Sequence, residues 1–488
     1  MPLERIGVAG AGTMGAGIAQ LACLGGLETH LHDPSLEALG AGGERVREAL
    51  ADGARRGRWS ESDADVAGGR LRPSPLLEDL RRCQLVIEAA PEDLELKREL
   101  FRRLAGVCGD ETVLATNTSS LQVTAIAAPV PVPERVVGMH FFNPPDRMRL
   151  VEIVAGEQSS GRALRTATEL AERMGREAVR AADGPGFIAN RVARPFGLEA
   201  LRLLGDRIST VEQIDRIVRL GGGFRMGPFE LMDLVGVDVG FEVSKSFYEQ
   251  SFHEPRWQPH PIQQRMVDAG RHGRKAGRGY YDYRRDPYRP DDPQPPPVSG
   301  ELTPPDDGAV VEGSGFRAVP VAATSIDALE PDRDSVGYYA LPPVSEAPLV
   351  ELTRSSATAD PAAEAAERFF RALGKHVEWV GDSPGLVLGR IVCQVINEAA
   401  FALQRGVGSA QDIDTAMRIG FNYPRGPLEW SQAIGLRHVL AVLDGLWNER
   451  HEERYRAAPL LRSAVAGGES RLSSPDPESG PGGSGDEV

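Results

Sequence analysis

The chain has 488 residues, and its 70 acidic and 55 basic side chains give a formal net charge of −15 at pH 7. This acidic balance disfavours nucleic acid as a partner, because binding to phosphates requires a basic surface. No apolar run is long enough to span a membrane, and the first strand begins almost at once, which leaves no room for a cleaved signal, so we expect a cytoplasmic protein.

The first predicted element is a short buried strand, residues 5–9, that leads through a glycine-rich turn into an apolar helix. The turn has the pattern GxGxxG and consists of Gly10, Gly12 and Gly15, with Thr13 and Met14 between the last two. Such glycines allow a tight turn, the close approach of a pyrophosphate, and the packing of helix on strand. The next strand, residues 28–32, ends at Asp33, which can accept a hydrogen bond from a ribose 2′-hydroxyl and repels a 2′-phosphate. These features predict a doubly wound α/β domain that binds NAD.

Polar residues follow the next two predicted strands, at 85–89 and 112–115. The carboxyl ends of parallel strands border the ligand crevice in doubly wound sheets. We therefore expect Glu92, Asn117 and Ser119 to lie beside the cofactor. The alternative for residues 117–120 is a plain helix N-cap, for which Ser and Thr are well suited.

A histidine and a glutamate stand in two successive apolar stretches joined by a Pro-Pro turn. His140 belongs to the run GMHFFNPP and Glu152 to the run LVEIV. A carboxylate on one imidazole nitrogen fixes the tautomer and leaves the other nitrogen free to move a proton. A histidine alone is more often a buried structural residue. The spacing to Glu152 and the nearby nucleotide site favour an acid/base pair that oxidises an alcohol.

Seven stretches together resemble the NAD-dependent L-3-hydroxyacyl-CoA dehydrogenases: GAGTMGAGIAQ, IEAAPEDLELK, ATNTSSL, GMHFFNPP, LVEIV, DGPGFIANRV and MGPFELMDLVG. Members of this family oxidise the 3-hydroxyl group of an (S)-3-hydroxyacyl-CoA to a ketone. The resemblance implies that His140 is the acid/base, that Glu152 is its partner, and that Ser119 and Asn190 bind substrate oxygens. It also implies a set of cofactor contacts, with Asn143 beside His140: Asp33, Glu92, Lys97, Asn117 and Asn143.

A local cluster of basic residues stands out in this acidic chain. Arg55, Arg56 and Arg58 lie where the resembling family has a basic helical tail near CoA. We expect them to contact the phosphates of an acyl-CoA. The alternative is a solvated helix end.

The second half of the chain repeats part of the first at an offset of 199 residues, so that Pro185 corresponds to Pro384. At this offset the candidate site residues are replaced: His140 by Tyr339, Asn143 by Pro342, Asn190 by Gly389 and Ser119 by Ala318. No GxGxxG pattern precedes the second copy. We therefore predict a degenerate copy that binds no dinucleotide and catalyses nothing. The layout is similar to that of bacterial two-copy members of the family, particularly those that act on 3-hydroxyadipyl-CoA in phenylacetate degradation.

The predicted organisation has six parts. They are a doubly wound NAD-binding domain (1–182), a helical domain (183–285), a linker rich in Pro and Asp (286–307), a truncated α/β remnant (308–381), a second helical domain (382–466) and a disordered tail (467–488). The second helical domain is expected to pack on the first as an internal pseudo-dimer, with a homodimer as the alternative.

Other functions and sites remain open or are disfavoured. A dehydrogenase of a small hydroxy acid without CoA is the main alternative, and 3-hydroxybutyryl-CoA is an alternative substrate to 3-hydroxyadipyl-CoA. A non-catalytic NAD-binding protein is a further alternative. The four cysteines are scattered, and His30 and His32 lack a third ligand nearby, so neither a disulfide nor a metal site is expected.

Overall fold

The structure is a computed structural model in which residues 3–299 and 302–474 are described. Contacts divide the chain into two compact units. The first unit comprises the residues up to 189 together with 407–421, and the second comprises 190–406 and the residues from 422 onward. From residue 475 onward, the predicted disordered tail lies outside the described residues.

The described residues form strands and α-helices, numbered here in chain order. The strands are β1 (Arg5–Ala9), β2 (Glu28–His32), β3 (Leu71–Ser74), β4 (Leu85–Glu88), β5 (Val113–Thr116), β6 (Val136–Phe141), β7 (Leu150–Ala155), β8 (Glu177–Ala182), β9 (Val311–Gly313), β10 (Phe316–Pro320), β11 (Ser335–Tyr339), β12 (Leu349–Thr353) and β13 (His376–Trp379). The helices are α1 (Thr13–Leu24), α2 (Leu36–Arg55), α3 (Glu61–Gly68), α4 (Leu94–Val107), α5 (Val123–Ala127), α6 (Gly161–Arg173), α7 (Ala189–Val192), α8 (Arg194–Gly205), α9 (Val211–Gly222), α10 (Pro228–Val235), α11 (Val237–Gln250), α12 (Pro261–Asp268), α13 (Asp360–Ala372), α14 (Leu388–Gln404), α15 (Ala410–Gly420), α16 (Pro427–Ile434), α17 (Leu436–Arg450) and α18 (Pro459–Ala466).

The first unit is built on an eight-stranded sheet in the order β3-β2-β1-β4-β5-β6-β7-β8. Neighbouring strands are parallel except β6 and β7, which are antiparallel. The order 3-2-1-4-5-6 is that of the doubly wound dinucleotide-binding fold, whose ligand crevice lies at the carboxyl ends of the strands. The predicted α/β domain is confirmed.

The helices of the first unit bury one face against this sheet, as their sequence patterns require. In α6, which Ser160 caps by accepting a hydrogen bond from the Ala163 N–H, the buried residues are Ala163, Ala167, Leu170 and Ala171. This spacing forms a single apolar stripe on a helix with 3.6 residues per turn. In contrast, α1 is apolar around most of its surface and lies deep in the core with Ile6 and Val8 of β1.

A segment distant in sequence completes the first unit. Residues 407–421 carry α15, which packs on β7 and β8. The Ala182 N–H, at the end of β8, donates to the Val407 carbonyl oxygen over 2.8 Å. The Leu150 side chain lies so close to Gly420 that a Cβ atom there would be 2.6 Å from Leu150 Cδ2. The first unit therefore depends on a piece of chain from beyond residue 400.

The second unit combines helices with a smaller sheet. Its five strands have the order β13-β12-β11-β10-β9, with β10 parallel to β11, β11 antiparallel to β12, and β12 parallel to β13. The same alternation joins β5, β6, β7 and β8 of the first unit. A second sheet is therefore present, with a strand pattern like that of the outer half of the first.

Element boundaries repeat at the offset seen in the sequence. Helix α6 starts at residue 161 and α13 at residue 360, and α10 starts at 228 and α16 at 427. The cross-strand pair His140–Glu152 recurs as Tyr339–Glu351. Helices α8 and α14 carry the start of each helical repeat, and they pack against each other within the second unit.

Two buried ion pairs connect the two helical repeats, one between α14 and α8 and the other between α14 and α7. The two pairs are related by the same offset. Arg390 donates from Nε to Glu199 over 2.8 Å, and Arg191 donates from Nε to Glu398 over 2.8 Å. Arg390 is 0 % exposed and Tyr455 adds a hydrogen bond to Glu199. Burial acts to raise the pKa of Glu199, but the Arg390 guanidinium outweighs it and keeps the pKa below its ordinary value. Each glutamate therefore neutralises a buried cation from the other repeat.

Part of the segment predicted to be a linker makes specific contacts within the second unit. Asp292 accepts hydrogen bonds from Arg219 over 2.6 and 3.0 Å, and Arg289 pairs with Glu230 over 3.0 Å. The Pro and Asp content of this segment indicates that it cannot form a core, but it does not exclude binding to a charged surface.

Candidate active site

The glycine-rich turn after β1 has the shape of a phosphate-binding loop. Gly10 has φ of +116°, and a Cβ atom there would lie 2.5 Å from the Ala89 carbonyl oxygen. A Cβ at Gly15 would collide with the Gly10 carbonyl oxygen, whereas nothing lies within 4 Å of the same position at Gly12. No side chain caps the N-terminus of α1, so its N–H groups remain available to an anion. The turn fits the pyrophosphate of a dinucleotide.

Asp33 has a second role that the sequence did not reveal. Its two carboxylate oxygens accept hydrogen bonds from the Ala11 N–H and the Ser35 N–H, both over 3.0 Å. The side chain therefore ties the glycine-rich turn to the end of β2. A half-buried carboxylate at this place also fits a ribose 2′-hydroxyl group.

Glu92 organises the loop after β5. Its Oε1 atom accepts hydrogen bonds from the Ser119 N–H over 3.0 Å and from the Ser120 N–H over 3.1 Å. Burial acts to raise the pKa of Glu92, but the Lys97 ammonium group and these hydrogen bonds hold it below its ordinary value. Lys97 is 1 % exposed and its Nζ atom lies 2.6 Å from Glu88 and 3.3 Å from Glu92. Lys97 thus stabilises, through Glu92, the loop that follows β5.

The alternative interpretation of residues 117–120 as a helix N-cap is wrong. Helix α5 begins only at Val123, and Asp183 accepts hydrogen bonds from the N–H groups of Val123 and Thr124 over 3.1 and 2.8 Å. Residues 117–120 therefore do not cap a helix, and the Ser119 side chain is exposed. Asn117 joins the ends of two strands, since its Oδ1 atom accepts from the Phe141 N–H over 2.9 Å.

His140 and Glu152 form a direct hydrogen-bonded pair across the antiparallel strands β6 and β7. His140 Nδ1 lies 2.7 Å from Glu152 Oε2. The other oxygen of Glu152 accepts from the N–H groups of Ile188 and Ala189 over 2.9 and 2.8 Å, and the carboxylate is 0 % exposed. Because every oxygen of the carboxylate has a donor, Glu152 stays fixed in place. The structure thus brings together the two residues that the sequence pairs, and adds the anchor residues after the Asp183-Gly184 turn.

Two aromatic side chains hold the imidazole ring from the sides. The ring centroid of Phe142 lies 4.4 Å from that of His140, and that of Phe187 lies 5.7 Å from it. Phe142 in turn meets Phe421 edge-on at 6.3 Å. His140 Nε2 makes no hydrogen bond with any residue that the structure describes. This nitrogen is therefore the one available to a reacting group.

The remaining predicted site residues lie at the surface or in the second unit. Arg55 and Arg56 are exposed and both pair with Asp52, while Arg58 lies 3.6 Å from Asp146. Asn143 follows β6 and is exposed. Asn190 lies on α7 and is the first residue of the second unit.

Comparison with protein families decides the classification. Residues 5–184 match the family model of the 3-hydroxyacyl-CoA dehydrogenase NAD binding domain. Residues 186–283 and, again, 385–476 match the model of the 3-hydroxyacyl-CoA dehydrogenase C-terminal domain. The chain belongs to the 3-hydroxyacyl-CoA dehydrogenase family. The family and the NAD cofactor inferred from the sequence are confirmed, and the helical domain occurs twice.

Relatives of this 3-hydroxyacyl-CoA dehydrogenase fall into long and short chains. A 3-hydroxyadipyl-CoA dehydrogenase of Escherichia coli is 40% identical over 470 residues, which cover 94% of this chain and 97% of the relative. A 3-hydroxybutyryl-CoA dehydrogenase of Mycobacterium tuberculosis is 39% identical over 283 residues and covers 58% of this chain. The crystal structure of a 3-hydroxybutyryl-CoA dehydrogenase from Escherichia coli superposes with a TM-score of 0.89 at 38% identity and covers 96% of this chain.

In this dehydrogenase the residues at the equivalent place in the second unit form a closed cluster. Tyr339 stands where His140 stands in the first sheet, and its hydroxyl lies 2.9 Å from His438 Nε2. Burial lowers the pKa of His438 to about 4, so the imidazole is neutral at pH 7. A Cβ atom at Gly389 would lie 2.5 Å from the Tyr339 ring, so the glycine at the position equivalent to Asn190 makes room for the tyrosine. Tyr339 fills the space rather than lining an open site.

Glu351 gives this cluster a testable pH dependence. It accepts hydrogen bonds from the Val387 and Leu388 N–H groups, but no histidine pairs with it, and burial raises its pKa from 4.5 to about 8. Between these values the folded protein holds a proton that the unfolded chain has released. Stability contributed by this group therefore falls as pH rises from about 4.5 to about 8, by an amount on the order of 5 kcal/mol.

We expect the Glu351→Gln variant to lack this part of the pH dependence, because an amide does not titrate. The measurement is urea unfolding of the wild type and the variant at pH 5.5 and pH 8. The difference in unfolding free energy between the two proteins should change with pH. A difference that stays constant would show that Glu351 is ionised in the folded state.

Within residues 3–299 and 302–474, no helix is long and apolar enough to cross a membrane. In the same residues, no group of three or more His, Cys, Asp or Glu side chains could hold a metal ion. All four cysteines are buried as free thiols.

Proposed function

We propose that this protein oxidises (S)-3-hydroxyacyl-CoA to 3-oxoacyl-CoA with NAD as the cofactor, and that the His140–Glu152 pair is its acid/base. The observation that carries the proposal is the 2.7 Å contact between His140 Nδ1 and a carboxylate whose other oxygen is held by two backbone N–H groups. A bound carboxylate requires the proton on Nδ1, and this leaves Nε2 as the basic nitrogen.

The chemistry assigned to the protein follows from this tautomer. When bound in the glycine-rich turn, NAD supplies the hydride acceptor. His140 Nε2 takes the proton from the 3-hydroxyl group, and the buried Glu152 carboxylate stabilises the imidazolium that forms. In the reverse direction His140 returns the proton to the oxygen. Phe142 and Phe187 keep the ring in one orientation throughout.

Ser119 and Asn190 are the proposed ligands of the substrate oxygen. The Ser119 N–H is occupied by Glu92, whereas its hydroxyl group makes no hydrogen bond with a described residue and remains available as a donor. Asn190 can donate from its amide. Donors placed at an oxygen that gains negative charge lower the barrier in the direction of reduction.

The cofactor is assigned to residues around the carboxyl ends of β1, β2, β4 and β5. In this proposal the phosphates bind the turn and the start of α1, and Asp33 binds the ribose. Glu92, Asn117 and Asn143 border the rest of the cofactor. Lys97, buried between Glu88 and Glu92, acts on it through Glu92. The proposed phosphate contacts are Gly10, Gly12, Thr13, Met14 and Gly15.

The second copy is proposed to be degenerate and silent in catalysis. Tyr339 replaces the histidine, and its ring takes the room that a side chain at Gly389 would need. The reciprocal pairs Arg390–Glu199 and Arg191–Glu398 support the internal pseudo-dimer, because each repeat neutralises a buried charge of the other. The second copy then serves as a built-in partner for the first helical repeat.

The substrate is proposed to be a CoA ester, with 3-hydroxyadipyl-CoA ahead of 3-hydroxybutyryl-CoA. Support for the former comes from the relative of that name, which matches almost the whole length of the chain. Oxidation of NADH by the wild type with acetoacetyl-CoA tests the reaction class. No turnover with a CoA ester, but turnover with a small free 3-oxo acid, would favour the dehydrogenase of a small hydroxy acid.

The arginine cluster separates these two functions. We expect the triple change of Arg55, Arg56 and Arg58 to Ala to raise KM for acetoacetyl-CoA by about tenfold, since exposed charge contacts contribute up to about 1 kcal/mol each, and to leave kcat unchanged. A matched triple change of the exposed Arg81, Arg82 and Arg102 should leave both constants unchanged. Steady-state kinetics at low ionic strength measures the effect. An unchanged KM in the first variant would place the CoA phosphates elsewhere.

A further inference from the structure

Arg194, at the start of α8, is half-buried, and its guanidinium group has no counter-charge among the described residues. It stacks on Phe247 of α11 at 4.4 Å from the ring centroid, and its Nη1 donates to Ser244 Oγ over 3.2 Å. Its Nε atom is buried and has no hydrogen-bond partner, and Arg194 forms no ion pair with any Asp or Glu that the structure describes. Burial alone acts on the group and lowers its pKa to about 10, so it stays charged at pH 7.

Three buried arginines of the second unit differ from Arg194. Arg191, Arg219 and Arg390 are each paired with a buried glutamate within 2.8 Å. An unpaired buried charge is costly, and proteins rarely keep one unless it meets a partner in another state. The partner that is absent from the described chain is an anion.

Arg194 lies one helical turn from Asn190. Helix α7 ends at Val192, and Ala193 has helical backbone angles of −72° and −16°, so the helical path continues into α8. Residues four apart share a helix face and are separated by about 6 Å along the axis. Asn190 and Arg194 therefore stand one above the other on one face.

We propose that Arg194 binds a carboxylate at the distal end of the acyl chain, and so selects 3-hydroxydicarboxylyl-CoA substrates. This inference rests on the proposed function, because it takes Asn190 as a ligand of the oxygen on C3. In a six-carbon dicarboxylyl chain, three bonds of about 1.5 Å each separate C3 from the distal carboxyl carbon. With a hydrogen bond of about 3 Å at each end, this span of about 4 Å sets the two donor atoms about 10 Å apart. The guanidinium group therefore has to extend about 4 Å beyond the rise of about 6 Å between residues 190 and 194.

The surroundings of Arg194 suit this task. Phe247 supports the face of the planar guanidinium, and Ser244 uses only Nη1. The edge with Nε and Nη2 makes no hydrogen bond with a described residue, and in the proposal it receives the two oxygens of a carboxylate. Such two-point contacts are stronger and more directional than those of an ammonium group, and burial strengthens them further.

The test compares two CoA esters of equal carbon number with the full-length protein. 3-Hydroxyadipyl-CoA ends in a carboxylate and 3-hydroxyhexanoyl-CoA ends in a methyl group. We expect Arg194→Met to lower kcat/KM for the first by about 10- to 100-fold, and to leave that for the second unchanged or raised. Arg194→Lys keeps the charge but not the two-point geometry and should fall between. Arg265→Met removes an exposed arginine of α12 and serves as the control, with no effect on either substrate.

The outcomes separate this inference from the proposed function. Equal losses on both esters, or a fall in thermal stability in Arg194→Met, would assign Arg194 a structural role and overturn the inference while the reaction class stands. A wild type that acts on neither ester would overturn the proposed function itself. A loss confined to the dicarboxylyl ester, with stability kept, supports the assignment.

Discussion

Replacing His140 with alanine should lower kcat/KM for the reduction of acetoacetyl-CoA by about a thousandfold, the usual contribution of general acid catalysis. The imidazole is the proposed proton donor. Its Nδ1 is held by Glu152 at 2.7 Å and its ring lies between Phe142 and Phe187. Loss of NADH absorbance at 340 nm, read as an initial rate, is a direct measurement. Binding of NADH should persist in the variant, because no atom of His140 belongs to the glycine-rich turn.

Tyr339→Phe is the matched control for this experiment. It changes the residue at the equivalent position of the second sheet, removes the hydroxyl that hydrogen-bonds to His438, and keeps the ring that fills the space at Gly389. Its turnover should equal that of the wild type. If His140→Ala retained its activity, the acid/base would have to be another residue. If Tyr339→Phe lost its activity, the second copy would have a role in the reaction.

Removing the negative charge of Glu199 should have the largest effect on stability. In Glu199→Gln the Arg390 guanidinium, 0 % exposed, loses its nearest carboxylate partner and keeps the longer 3.7 Å contact with Asp206. Breaking one side of a buried pair costs about 3–5 kcal/mol, which corresponds to a fall in Tm of about 10 °C for a unit of this size. Differential scanning calorimetry measures it.

Two further variants make this prediction specific. Glu199→Leu combined with Arg390→Met removes both charges of the pair and should regain part of the lost stability, since the fully buried guanidinium is gone while Arg202 still loses its 3.5 Å contact with Glu199. Glu242→Gln breaks the exposed pair with Lys245 on α11 and should change Tm by less than about 1 °C. If Glu199→Gln were as stable as Glu242→Gln, the buried pair would not hold the two helical repeats together.

The parts of the fold that the sequence predicts are those fixed by local patterns. Strand β1 spans Arg5–Ala9, as the short apolar run before the glycine-rich turn indicates. The cross-strand register of His140 and Glu152 follows from two apolar runs joined by a short turn, because that turn leaves few ways to pair the strands. The turn after β1 is equally local, since a side chain at Gly10 would clash with the residue that follows β4 and a side chain at Gly15 would clash with the turn itself.

Contacts between distant segments could not be predicted in the same way. Asp183 lies in a run that marks the family, yet its capping of α5, 59 and 60 residues earlier, depends on how β8 ends beside that helix. Glu92 orders a loop more than 25 residues away, and nothing in the spacing of either segment indicates it. Arg194 is one arginine among many in the sequence. Only the structure distinguishes it, through a buried Nε atom without a hydrogen-bond partner together with the absence of a described carboxylate partner.

The insertion of residues 407–421 into the first unit has a consequence for the way the protein is made. When a ribosome has finished residue 189, most of the first unit has been synthesised, but its last piece follows only after more than 200 further residues. At about 5–20 residues per second this interval lasts about 10 to 50 s. During that time the outer edge of β8 lacks the segment that will accept the Ala182 N–H. An open strand edge invites pairing with another chain, so the nascent polypeptide is most exposed to aggregation while its second half is being translated.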